Sequence, residues 1–236
     1  FFILPIIGCS DTVSSDTDIV DNTNECKSGI SFSQDSLLYT PDNQAAFLDE
    51  IGREYFMYYW NECQPNSKMA RIGTERARAT VALAGSAYAV TSIPVAVERG
   101  WITYEQGAER FVQVCRFLNR AERYHGAWSH WSNGITGIGL PFNANQQSAG
   151  DLVETSFMMM GLLVCSEYFN RGGRNETEAI QLVESFWNTI EWNFYTNNQN
   201  VLYWAWDKDL GFAPLKVTGP NEAFPAYILA LAAPSQ

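Results

Sequence analysis

The segment from Asp151 to Asn170 limits the fold more than any other part of this 236-residue chain. At helical spacing it is apolar almost all round, from Leu152 through Phe157, Met160 and Leu163 to Phe169. A helix with one apolar stripe lies on a surface, whereas one apolar on every side has to be covered on both flanks. The covering helices are readable from their spacing. Asp42 caps a helix with Phe47, Ile51, Tyr55 and Tyr58 or Tyr59 on one stripe. An Ala-rich run over 77–98 carries Ala84, Gly85 and Ser86 for close packing, with Pro94 placed to kink or break it. Thr103 and Gln106 form a capping box ahead of Phe111, Val112, Cys115 and Leu118. Ile180, Val183, Trp187 and Ile190 stripe 177–192, and a last helix runs from near Asn221 to Ala233.

Between these helices the sequence changes character. Over 120–150, Gly126, Gly134, Gly137, Gly139 and Pro141 break any helix, while His125, Trp128, His130, Trp131 and Phe142 crowd in, so a long aromatic loop is expected. Asn193–Tyr195, the turn 197–200 and Val201–Trp206 predict a β-hairpin insertion. Six helices in successive hairpins, without a βαβ rhythm, describe an all-α chain. Successive hairpins of this kind suggest a toroid of paired helices, of which six would make half of an (α/α)6 barrel, although periodicity by itself supports only a mostly α chain.

The charge balance narrows the partners. With 15 Lys and Arg against 26 Asp and Glu, the chain lacks the basic clusters that nucleic acid requires. Nearly half of the excess lies in residues 1–40, where Lys27 faces six acids. Residues 10–40 are too polar to bury a core and read as a flexible acidic tether. Ahead of them, Phe1-Phe2-Ile3-Leu4-Pro5 and Ile6-Ile7-Gly8-Cys9 read as a truncated lipoprotein signal over 1–9, ending in a lipobox whose Cys9 is lipidated. The expected location is the bacterial cell envelope, periplasmic or at the outer-membrane surface, with membrane contact only through the lipid anchor. Cys115 and Cys165 sit on apolar faces as small hydrophobes; a Cys26–Cys63 disulfide is left open by the sequence.

Chemistry concentrates at helix starts. Asp151 and Glu154, at i and i+3, share one helical turn at the mouth of the apolar helix. Neighbouring carboxylates raise one another's proton affinity, although acids in a first turn also simply offset the helix dipole. Glu222 opens the last helix in the same way. Both acid sites follow aromatic segments, the second holding Tyr203, Trp204, Trp206 and Phe212. Aromatic faces beside a carboxylic acid suit a sugar-cleaving cleft. His125, Trp128, His130, Trp131, Trp204 and Trp206 are the candidate substrate-binding residues. The two His, five apart with no third ligand, make a poor metal site, and neither a metal nor a cofactor is expected. There is no P-loop, dinucleotide fingerprint or G-x-S-x-G. Arg71, Arg76 and Arg78 fit a solvated loop.

Gly150-Asp151-Leu152-Val153-Glu154-Thr155-Ser156-Phe157, followed by Met160-Gly161-Leu162-Leu163, closely resembles the central motif of glycoside hydrolase family 144, the glucoamylase-like endo-β-1,2-glucanases. Val97–Thr103, His125-Gly126, His130-Trp131, Asn200–Trp204, Asn221-Glu222 and Leu229–Pro234 resemble further family motifs, in order, so the similarity covers about 42–236. The resemblance implies an (α/α)6 barrel, of which 41–236 is the N-terminal half. It also implies inverting hydrolysis of β-1,2-glucan. The expected partner is a glucan or oligosaccharide substrate, and the expected state a monomer. On this reading Glu222 is the general acid, Asp151 the base and Glu154 its tuning partner. Pro220 departs from the family's Trp, and family members are about twice as long. The alternative is a non-catalytic glycan-binding surface lipoprotein. A polysaccharide lyase on a similar toroid fits less well, because net negative charge disfavours an anionic polymer.

Overall fold

A computed structural model of the chain describes residues 40–75, 78–142 and 149–234. The signal segment, Cys9, Cys26, most of the tether and Arg76 lie outside the described residues. What is described belongs to one compact unit, 32–236.

Six α-helices dominate the described residues, with short strands between them. A 3-10 turn at Pro41–Asn43 leads into α1 (Gln44–Asn61). Its buried residue is Phe56, packed on the Trp60 and Trp101 rings, while Tyr55 of the expected stripe is 69% exposed. Where one long helix was expected over 77–98, the chain first extends as β1 (Thr80–Ala82) and only then coils as α2 (Leu83–Glu98). Helix α2 runs through Pro94 unbroken. Proline has no N–H for the carbonyl four residues back, and that carbonyl, on Val90, accepts instead from the Cys165 thiol at 3.3 Å.

Helix α3 (Tyr104–Arg120) begins at the predicted box, with Thr103 Oγ1 accepting from Gln106 N and Gln106 Oε1 from Thr103 N. Phe111, Val112, Cys115 and Leu118 are fully buried, and α3 lies against α5 (Arg174–Thr189). The apolar helix is α4 (Leu152–Tyr168), packed between α2, α5 and α6 (Phe224–Ala232). Its close approach to α2 occurs at Gly161, which faces Thr91 and the Ala87 carbonyl. Helix α6 buries Ala226 but leaves Phe224, Ile228 and Leu231 exposed.

The expected aromatic loop is instead a series of short strands: β2 (Arg123–Tyr124), β3 (Ala127–Trp128), β4 (Trp131–Asn133), β5 (Gly139–Leu140) and β6 (Ala149–Asp151). Strands β2 and β3 form a hairpin that turns at His125 and Gly126, both with positive φ. A Cβ on Gly126 would land on the Thr189 carbonyl, so glycine is required there. Strand β4 pairs with β1 and β5. The predicted hairpin at 193–206 is displaced. Phe194–Thr196 is a 3-10 turn closed by left-handed Asn197 and Asn198. The strands that pair are β7 (Ala205–Asp207) and β8 (Gly211–Phe212), turning where Asp207 Oδ1 accepts from the amides of Asp209 and Leu210. Strand β7 also pairs with β6, giving a three-stranded sheet β6-β7-β8. No helix among the described residues is long and apolar enough to cross a membrane.

Candidate active site

Sheet β6-β7-β8 separates two environments by strand alternation. Ala149, Asp151, Ala205 and, just past β8, Ala213 face a cavity of about 410 Å³ completed by His130, Leu140, Phe142, Trp204, Pro214 and Leu215. The other face carries Trp206, whose ring meets Tyr124, His125 and Phe194. Phe212 joins that cluster, against Phe194 and Tyr203. Three alanines on one face leave the space that aromatic rings fill on the other.

Asp151 ends β6 and caps α4, its Oδ1 accepting from Glu154 N at 3.0 Å. That accounts for one oxygen as ordinary capping. The other, Oδ2, lies 2.9 Å from His130 Nδ1. Glu154 turns away from its own helix and accepts from Ala84 N, the second residue of α2, at 2.6 Å. The amide just before it, Leu83 N, donates to the His130 carbonyl at 3.0 Å. Ala82, at the cap position of α2, makes no side-chain cap bond, so Glu154 and His130 satisfy that helix end from across the fold. The positive ends of α2 and α4 thus converge on one acid pair.

Burial and the charge of Asp151 push Glu154 up to about 7, against the opposing pull of His130 and the Ala84 amide. Burial lowers the proton affinity of His130. The hydrogen bond to Asp151 and the two carboxylate charges outweigh it, and His130 ends above its ordinary value. Glu154 is thus poised to exchange a proton near neutral pH, a perturbation that marks candidate functional groups.

In sequence, 197 residues of this chain are 34% identical to an exo β-1,2-glucooligosaccharide sophorohydrolase (non-reducing end) of Parabacteroides distasonis, covering 82% of this chain and 27% of that protein. In structure it matches an endo-β-1,2-glucanase from Chitinophaga pinensis, seen with sophorotriose and glucose, at a TM-score of 0.75 and 38% identity. That match covers 81% of this chain and 48% of the other. A β-1,2-glucanase from Parabacteroides distasonis matches at a TM-score of 0.75 and 35% identity, over 79% of this chain and 27% of that one. The chain is homologous to these β-1,2-glucan-cleaving proteins. It spans about a quarter of its sequence relative and a quarter to a half of these two structures. No protein-family profile matches it.

Against this glucanase-type frame, the sequence candidates separate. Asp151, His130 and Trp204 line the cavity, and Glu154 stands directly behind Asp151. Trp131 packs on His130 and Phe142 without lining it. Trp128 is no binding residue. It is 1% exposed, donates from Nε1 to the Leu118 carbonyl and stacks edge-on against Phe186. His125 and Trp206 lie on the far face of the sheet, with His125 stacked on Phe194 at 3.4 Å and joined through Nδ1 to Glu191 at 2.9 Å. The two His therefore serve different partners. Glu222 is exposed on the turn before α6, outside the cavity lining. Arg71 donates to the Glu62 carbonyl and Arg78 pairs with Glu75. Sequence reasoning missed the Ala84 amide and the apolar wall of Leu140, Pro214 and Leu215, none of which carries a motif.

Proposed function

We propose that this chain contributes to hydrolysis of glycosidic bonds in a β-glucan, with β-1,2-glucan as substrate and endo cleavage with inversion as the reaction. The observation that carries this reading is Asp151 at the wall of an apolar cavity, with Trp204 and Phe142 also lining it and Glu154 coupled to Asp151 from outside the lining. Pyranose faces stack on such rings while carboxyl groups handle protons. The β-1,2-glucanase names of the relatives support the linkage. Inversion needs an acid and a base on opposite sides of the bond. Asp151 and Glu154 share one helical turn and approach from one side, which argues for a third carboxyl group. Asp151, facing the cavity, is the base that activates water, and Glu154 tunes it. Glu222 is the acid.

The exposed apolar residues of α6 fit a fold completed by further helices, with these six as half of an (α/α)6 toroid. The test is to incubate the full-length protein with β-1,2-, β-1,3- and α-1,4-glucans and follow both products and their anomeric form. β-1,2-Specific release with inversion, abolished by Asp151→Asn and Glu222→Gln while glucan binding persists, is the expected result. Release only from α-1,4-glucan overturns the substrate, and near-normal turnover of Glu222→Gln overturns its role.

A further inference from the structure

We propose that His130 is a positioning residue of this site: its imidazolium holds Asp151 by one oxygen and faces Glu154, so that the pair carries a single negative charge, on the carboxylate that opens to the cavity. The proposal rests on the acid–base reading above and deepens it.

The geometry leaves Asp151 little freedom. Oδ1 is tied to the α4 amide of Glu154 and Oδ2 to His130 Nδ1, so the carboxylate plane is fixed from both ends. His130 is fixed in turn. Its carbonyl is engaged by Leu83 N, its ring lies against Phe142 and Trp131, and the preceding residue, Ser129, bridges to Gly150. From Nδ1 to Glu154 Oε1 is 3.8 Å, so one cation sits within reach of both acids.

Charge bookkeeping then selects one arrangement. The side chains are 25% (His130), 7% (Asp151) and 12% (Glu154) exposed. Two anions with one cation would leave an uncompensated charge in this sheltered place, which burial penalises. An imidazolium, one anion and one neutral acid sum to zero. Glu154 is the neutral member because Asp151 has a donor on each of its two oxygens, while Glu154 accepts from Ala84 N on one oxygen. Asp151 and Glu154 are the titratable groups acting on His130, Asp151 and His130 those acting on Glu154, and the Tyr195 hydroxyl feels the charge of Asp151. That hydroxyl donates to the Tyr124 carbonyl and is held far above neutrality by burial.

A neutral imidazole protonated at Nδ1 would still donate to Asp151, so charge and hydrogen bond are separable. His130→Asn offers an amide donor without the charge, and His130→Ala removes both. The experiment is a ¹⁵N-histidine NMR titration of the full chain beside the pH profile of kcat/KM, with His125→Asn as the assignment control. In the wild type the His130 resonance should titrate above an ordinary histidine, and Asp151→Asn should lower its midpoint. In His130→Asn the acid limb of kcat/KM should move up by about 1–3 pH units, as loss of a neighbouring opposite charge requires. KM should change little and His125→Asn should leave the limb in place. A His130 midpoint unmoved by Asp151→Asn, or an unmoved acid limb in His130→Asn, overturns the proposal. The titration reads the coupling without substrate: coupling with no glucan turnover in any variant sinks the glucanase reading alone, and turnover without coupling sinks the role of His130 alone.

Discussion

Replacing Glu154 by Gln tests the electrostatics of the site through stability, independently of any substrate. In the fold Glu154 is pushed from 4.5 to about 7. Below the lower value both folded and unfolded chains hold this proton and its stabilising contribution is complete. As pH rises, the unfolded chain releases the proton first, so stability drains away until the folded chain releases it near 7. At about 1.4 kcal/mol per pH unit separating the two states, the full loss is about 3 kcal/mol. His130, also raised, contributes in the same direction and loses its share as pH passes its folded value. Gln keeps an acceptor for Ala84 N and cannot ionise. Urea midpoints between pH 5 and pH 8 should therefore fall for the wild type and fall far less for Glu154→Gln, leaving the variant the more stable protein at pH 8. Parallel curves would refute the reasoning, because they would mean that Glu154 ionises alike in both states.

Four further outcomes follow from packing and from the cavity lining. Gly161→Ala would put a Cβ 2.7 Å from Thr91 Oγ1 and 2.9 Å from the Ala87 carbonyl, and should cost about 1–3 kcal/mol by urea denaturation; an unchanged midpoint would mean that α2 and α4 part freely. Trp128→Ala should cost about 3–5 kcal/mol of stability, whereas Trp204→Ala should weaken glucan binding, measured by calorimetry, with little change in melting temperature. Cys165→Ala strands the Val90 carbonyl at a cost of about 1–3 kcal/mol. In a Pro94→Ala background, where a backbone amide can take that carbonyl, the cost should shrink; equal costs in both backgrounds would remove the proposed link.

The parts of the fold legible in the sequence are those whose causes are local. Helix α3 announces itself through Thr103, Gln106 and one clean stripe, and α4 through the absence of any polar side. Helix α1 misleads because aromatics occupy both its faces, so spacing favours Tyr55 where the fold buries Phe56. Strands of two or three residues have no period to read. Their partners lie far away, as when Ala149–Asp151 meets Ala205–Asp207. The same limit governs the site. Asp151 and Glu154 are visible because they share one turn. The contacts that give them their chemistry reach His130, 21 residues from Asp151, and Ala84, 70 residues from Glu154.

Most of the aromatic residues pack the core, and the small sheet shows how packing and open space divide between neighbouring residues. In β6-β7-β8 a shift of one residue moves a side chain from one face to the other. Trp206 and Phe212 build the packed face that, with Phe194, His125 and Tyr195, anchors the sheet. Ala149, Ala205 and Ala213, together with Asp151, form the face that leaves room. Support and access are thus encoded by alternate residues of the same strands. The rings supply the packed support, and the alanines between them leave the cavity open. Trp204, just ahead of β7, also borders the cavity, whereas Trp128 is buried and Trp206 lies on the far face, so of the three tryptophans it is the one whose replacement should be felt by a ligand in that cavity.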